Sequence, residues 1–249
     1  MMSTLHATPT QAHTAAPASL PRYDIYQGIH KGLRAFMADT LTRVGRVDVF
    51  DTTDLARTIE QLQALLTLCA AHVKHENDFL HTAIQARLPA GASRTAADHV
   101  EHLHSIEALR AEASAILPAG NDDRMVRALR LYRHLALFVA ENLQHMHIEE
   151  TVNNAALWAH YTDAELLDIH HRLLASVSPQ EQLDVMRWIV PALMPVQRAG
   201  MLGAMKNEAP AEFFDAVIGV VRPHLDTRDW SKLASALGVP QQAGLASFA

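Results

Sequence analysis

Twice along this chain a glutamate falls inside an apolar stripe that a helix would turn inward, each time with a histidine one turn before it. Leu62, Leu65, Cys69, His72, Val73, Glu76, Phe79, Leu80 and Ala83 form the first stripe. Leu131, His134, Leu135, Phe138, Asn142, His145, Met146, Glu149, Val152 and Ala156 form the second. Spacings of three and four are those of an amphipathic helix. At about 100° per residue, His72 lies above Glu76 and His145 above Glu149. Carboxylates are almost never fully buried unless paired or bound to metal. No lysine or arginine lies on these inner stripes. A chain of this kind must bring the two turns together around something cationic, and a metal is the economical answer.

The rest of the pattern says how. Tyr23, Tyr26, His30, Leu33, Met37, Leu41 and Val44 predict a first helix, closed by Gly45 and residues 47–53. The second starts near Asp54, with Asp51 or Thr53 as its N-cap, and runs to about Ala86. Leu88-Pro89-Ala90-Gly91-Ala92-Ser93 is a loop. A third helix covers about Thr95 to Leu117, with His99, His102, Leu103, Ile106, Ala113 and Leu117 inward, and a fourth about Asp122 to Leu157. No segment alternates as a strand would. Four long amphipathic helices with short connections predict an all-α, up-down-up-down four-helix bundle over residues 22–160.

Residues 161–249 stay helical and carry no polar constellation. Ser178-Pro179-Gln180-Glu181 is a helix start, with a serine cap, proline first and glutamate third. Pro191 and Pro195 break that segment, and Pro210 and Asp226 begin two further short helices, the last with Trp230, Leu233 and Leu237. This predicts a C-terminal helical extension packed on the bundle or on a second copy of the chain, as a homo-oligomer. Residues 1–21, rich in Ala, Thr, Ser and Pro, read as a disordered tail without the basic and apolar regions of a secretory signal.

Composition narrows the function. A formal charge of -6 gives no footprint for nucleic acid or an anionic membrane, and no apolar run reaches the ~18 residues of a spanning helix. A cytoplasmic protein is expected. The single cysteine, Cys69, sits among leucines as a small core residue, which excludes a disulfide and a cysteine-based metal site. The 16 histidines raise the weight of metal binding.

Heights along the helices agree. At ~1.5 Å per residue from the shared bundle end, His30 lies roughly 12 Å in, His102 roughly 10 Å and His99 roughly 6 Å. His72 and Glu76 lie roughly 15 to 21 Å in, His145 and Glu149 roughly 12 to 18 Å. One layer collects a histidine from every helix and a glutamate from two. Such a set suits two carboxylate-bridged iron or manganese ions; a structural zinc would use only four of these ligands.

At this point the chain resembles the hemerythrin-like (HHE cation-binding) family over residues 22–157, and more loosely in the helical region beyond. The family carries His on the first helix, His-x-x-x-Glu on the second, His on the third and His-x-x-x-Glu or Asp on the fourth. Here these fall on His30 in Gln27-Gly28-Ile29-His30-Lys31-Gly32-Leu33-Arg34, on His72 with Glu76, on His99 or His102 in Asp98-His99-Val100-Glu101-His102, and on His145 with Glu149. Respiratory members have third-helix histidines four apart and a fourth-helix aspartate. This chain has a spacing of three and Glu149. Height favours His102; placement after the acidic Asp98 favours His99.

The resemblance implies a non-haem di-iron protein, its irons bridged by Glu76 and Glu149, that binds O₂ or a related small oxidant for sensing, storage or delivery. The alternatives are a di-iron oxidase, oxygenase or peroxide- or nitric-oxide-detoxifying enzyme, and a helical interaction module with a structural metal. Of the other polar residues, His75 falls at the rim of its stripe, and His81, His104, His147 and Glu150 fall on the surface. His134 reads as a satisfied core histidine. Asn142 is placed either to orient a ligand or to bond between helices.

Overall fold

The computed structural model describes residues 22–240. The expected tail, residues 1–21, and the last part of the expected extension, residues 241–249, lie outside the described residues. Nine helices and no strand are found among the described residues. No helix there is long and apolar enough to cross a membrane.

Local sequence sets the ends. Helix α1 is Gln27–Gly45. The Asp51 carboxylate accepts from the amides of Thr53 (2.8 Å) and Asp54 (3.1 Å) and so starts α2 one turn before Leu55. Helix α2 runs Thr52–His75, passes a π-helical turn, Glu76–His81, and continues Thr82–Arg87. Helix α3 is Ser93–Ser114. Helix α4 runs Asn121–Ile148, passes a second π-helical turn, Glu149–Asn153, and ends with Asn154–His160.

In these four helices the apolar residues divide into two clusters with a polar layer between. One cluster takes Leu33, Phe36 and Met37 from α1, Leu62, Leu65 and Leu66 from α2, Ile106 and Leu109 from α3, and Leu131, Leu135 and Phe138 from α4. The other takes Tyr26, Leu80, Ile84, Ala92 and Leu157. Helix α1 packs on α2 and α4, and α3 packs on the same two. His30, Glu76, His99, His145 and Glu149 occupy the layer between the clusters, all buried.

The C-terminal helices are α5 (Asp163–Ser176), α6 (Pro179–Ala192), α7 (Pro195–Glu208), α8 (Ala211–Val221) and α9 (Thr227–Leu237). Capping boxes Thr162/Glu165 and Ser178/Glu181 open α5 and α6. Gly238, at φ 63°, ends α9 in the left-handed conformation that glycine takes without strain. Pro191 lies near the end of α6, and the buried Arg198 donates to the Val190 and Pro191 carbonyls there while pairing with Asp229 at 2.7 Å.

Helices α6 to α9 share a core of Val190, Leu202, Phe214, Val217, Val221, Trp230 and Leu233. This unit docks on α1 through α6. Trp188 stacks on Phe36 with ring centroids 4.0 Å apart. Close approach needs a missing side chain: a Cβ on Gly32 would stand 2.8 Å from Ile189 Cγ1 and 3.1 Å from the Ile189 backbone.

Candidate metal centre

Glu76 and Glu149 are the first residues of the two π turns, directly after the α-helical runs that end at His75 and Ile148. Around Glu76 Oε1 stand His72 Nε2 at 3.2 Å and His30 Nε2 at 3.5 Å. Around Glu76 Oε2 stands His99 Nε2 at 3.3 Å. Glu149 Oε2 lies 3.2 Å from His145 Nε2 and 3.5 Å from His30 Nε2, and Glu149 Oε1 lies 3.7 Å from His99 Nε2. His99 Nε2 and His145 Nε2 face each other at 3.0 Å. These atoms form two groups, His30–His72–Glu76–Glu149 and Glu76–His99–His145–Glu149, which share both carboxylates.

The inward atoms are unsatisfied. His30 Nε2, His72 Nε2 and all four oxygens of Glu76 and Glu149 are buried without a hydrogen-bond partner. Leaving one such atom unpaired costs roughly 1–3 kcal/mol, more when it is charged. The outward nitrogens, by contrast, are held. His30 Nδ1–H donates to Glu150 Oε1 (3.1 Å), His99 Nδ1–H to Asn77 Oδ1 (2.8 Å) and His145 Nδ1–H to Asp98 Oδ2 (3.2 Å). A ring fixed behind and bare in front, as at His30, is what a metal-ligating histidine requires. The buried histidines and glutamates could hold a metal ion.

Protons take the place of cations when none is bound. Burial alone would lower His30 and His99. The carboxylates of Glu150 and Glu76 for His30, and of Glu149 and Glu76 for His99, outweigh it and raise both to about 9. His145 is raised too, against its burial, by Glu149. Burial holds His72 down at about 4. Glu76 is brought to about 2, because His72, His30 and His99 outweigh burial and the nearby Glu149 carboxylate; Glu149 is held well below the usual range, burial being outweighed by His145 and its neighbours.

The third-helix pair is not equivalent. His99 enters the second group, whereas His102 is buried one ring further out, its centroid 4.8 Å from His145 and 6.1 Å from Phe138. Burial, then His145, lowers His102 to about 4.

Two expectations of exposure need correction. His81, expected on the surface, is buried at 3% exposure. Five residues after Glu76 would be about 140° round an uninterrupted α-helix. The π turn takes up the extra residue and brings His81 back to the inner face. Glu150, also expected on the surface, is half-buried between α4 and α1, where Arg34 grips it from both nitrogens at 2.6 and 2.9 Å. Arg34, one turn after His30 on α1, was the available signal. Asn142 plays neither expected part: its amide donates to the Phe138 carbonyl of its own helix. His134 is half-buried and lies 3.5 Å from Glu112. His104 and His147 are exposed, and His75 is half-buried.

Beside the centre, Tyr26 is fully buried with its ring 5.1 Å from that of His30. Burial, then Glu149 and Glu76, raises its phenol well above 10, so it remains neutral. No family model, curated protein or solved structure matches this chain.

Proposed function

We propose that these four helices form an up-down-up-down, hemerythrin-like bundle holding two carboxylate-bridged iron ions, and that the protein binds O₂ or a related small oxidant for sensing, storage or delivery. What carries the reading is a pair of ligand groups with both carboxylates in common and every inward oxygen of those carboxylates unpaired. Glu76 and Glu149 would span the two ions, His30 and His72 would serve one, and His99 and His145 the other. Four carboxylate oxygens without a hydrogen-bond partner, with imidazole nitrogens beside them, suit divalent cations; manganese or zinc fits the same donors.

Bound ferrous ions would supply the electrons and the open coordination position that O₂ uptake needs. The chain supplies the rest. Glu150, Asn77 and Asp98 hold the imidazoles by their Nδ1–H, which fixes tautomer and orientation. The two apolar clusters on either side keep bulk water from the layer. Tyr26 keeps a neutral hydroxyl near His30, oriented by the Asn153 amide at 3.5 Å.

The test is optical. Protein loaded with ferrous iron without air should gain visible absorption on exposure to air and lose it on degassing. Two irons per chain with no such band would remove the reversible-binding reading.

A further inference from the structure

Resting on the two-metal reading above, we propose that Tyr23 and His170 form a redox pair. Tyr23 gives an electron to an oxidant at the centre while its phenolic proton passes to His170 Nδ1.

The apolar cluster on the Tyr26 side of the polar layer holds three of the chain's four tyrosines, Tyr23, Tyr26 and Tyr161, together with Trp158. Tyr26 stands next to the layer, its ring 5.1 Å from that of His30. Tyr23 lies three residues before it, so the two Cα atoms are at most about 11 Å apart. The cluster on the other side presents Phe36 and Phe138, rings that resist oxidation.

Losing an electron makes a phenol strongly acidic, so the tyrosine oxidised most readily is one whose proton has a base to go to. Among the described residues, Tyr26 has one hydrogen bond, and there the Asn153 amide is the donor. Tyr161 donates to the Ala83 carbonyl at 2.7 Å, which cannot keep a proton. Tyr23 alone of the three is bonded to an imidazole, at His170 Nδ1. Burial, then Asp24, pushes its phenol up to about 12, and burial, then His171, holds His170 down at about 4. Both are neutral at pH 7, so the phenol donates and Nδ1 keeps the electron pair that receives the proton.

The partners are held in place. Trp158 Nε1–H donates to the Tyr23 carbonyl at 2.8 Å. Arg22 donates to Asp163 at 2.6 Å and to the Trp158 and Tyr161 carbonyls at 2.9 and 2.7 Å. Both side chains of the pair are half-buried, within reach of a dissolved reductant that would restore Tyr23.

Hydrogen peroxide, met when one ion is ferrous and the other already ferric, is an oxidant that balances the step. Its O–O bond breaks as it takes one electron from the ferrous ion and one from Tyr23. The products are ferric iron, two hydroxides, a neutral Tyr23 radical and protonated His170.

The full chain, loaded with ferrous iron without air and brought to one ferric ion per centre with ferricyanide, is mixed with hydrogen peroxide and frozen. Electron paramagnetic resonance and elemental analysis are read on the same sample. We expect a neutral tyrosyl radical in the wild type, identified by ring-deuterated tyrosine and coupled to an imidazole nitrogen when histidine carries heavy nitrogen. Tyr23→Phe should abolish the radical with iron content unchanged, and Tyr161→Phe should keep it. His170→Asn, which leaves an acceptor and no base, should abolish it as well. No radical in iron-loaded wild type, a radical that survives in Tyr23→Phe, or one undiminished in His170→Asn would overturn the proposal. A wild type without iron would instead remove the two-metal reading beneath it. Where the variants fail to fold, a wild-type radical without coupling to an imidazole nitrogen would overturn the proposal by itself.

Discussion

Charge at single side chains governs how this centre behaves when empty. With His30 and His99 raised to about 9, both hold protons at neutral pH, opposite two ionised carboxylates. A group raised in the folded state stabilises fully below its unfolded value, about 6.5, and that contribution fades as pH rises through about 9. Glu76 works the other way: its contribution is present above about 4.5 and fades as pH falls toward 2. Metal-free protein should therefore lose melting temperature from pH 7 to pH 10. The same protons must leave when metal enters. Zinc binding at pH 7, followed by calorimetry in buffers of different ionisation enthalpy, should release about one proton per filled site, from His30 on one side and His99 on the other, with affinity rising up to about pH 9. A pH-independent affinity between 6 and 9 would contradict this. Glu150 offers a second residue-scale test. Glu150→Gln weakens both the Arg34 pair and the acceptor of His30 Nδ1–H, so metal affinity should fall roughly 10- to 100-fold. Glu76, Glu149, His72 and His145 were readable because they repeat with the apolar period. Glu150 was not, because a wheel gives an angle and cannot say that α1 and Arg34 occupy it.

Among the elements, the helices and their starts were legible for a plain reason: Asp51, Ser178 with Glu181, and Asp226 cap backbone amides wherever they stand before an apolar run. The π turns were not. One inserted residue leaves no mark in composition, and its effect, turning His81 inward, is visible only when the ladder is seen. The sequence leaves the docking of the extension open between the bundle and a second chain. Gly28 and Gly32, one turn apart on α1, were the signal, since they clear the surface on which Ile189 and Met201 sit. Gly32→Ala should lower stability by about 1–3 kcal/mol, because the new methyl meets Ile189 backbone as well as side chain. Gly28→Ala should cost less, its nearest neighbour at 3.3 Å being the flexible end of Met201. Urea unfolding of the metal-free chain measures both; equal effects would mean that α6 does not rest on α1 in solution.

For the molecule as a whole, the layer of unsatisfied groups sits between two apolar clusters that all four long helices join. Filling it should tighten the entire bundle, since a ligand that binds only the folded state stabilises by its binding free energy. Chelation should lower the melting temperature of loaded protein, and His72→Ala should lower both iron content and melting temperature. A variant that loses iron without changing the melting point would place the metal outside the core. The most direct measurement is elemental analysis of the purified full chain after iron-replete expression, taken with its absorption spectrum in air. Two irons per chain, with an iron-dependent visible absorption, is the predicted result; less than about one metal ion per chain would contradict it.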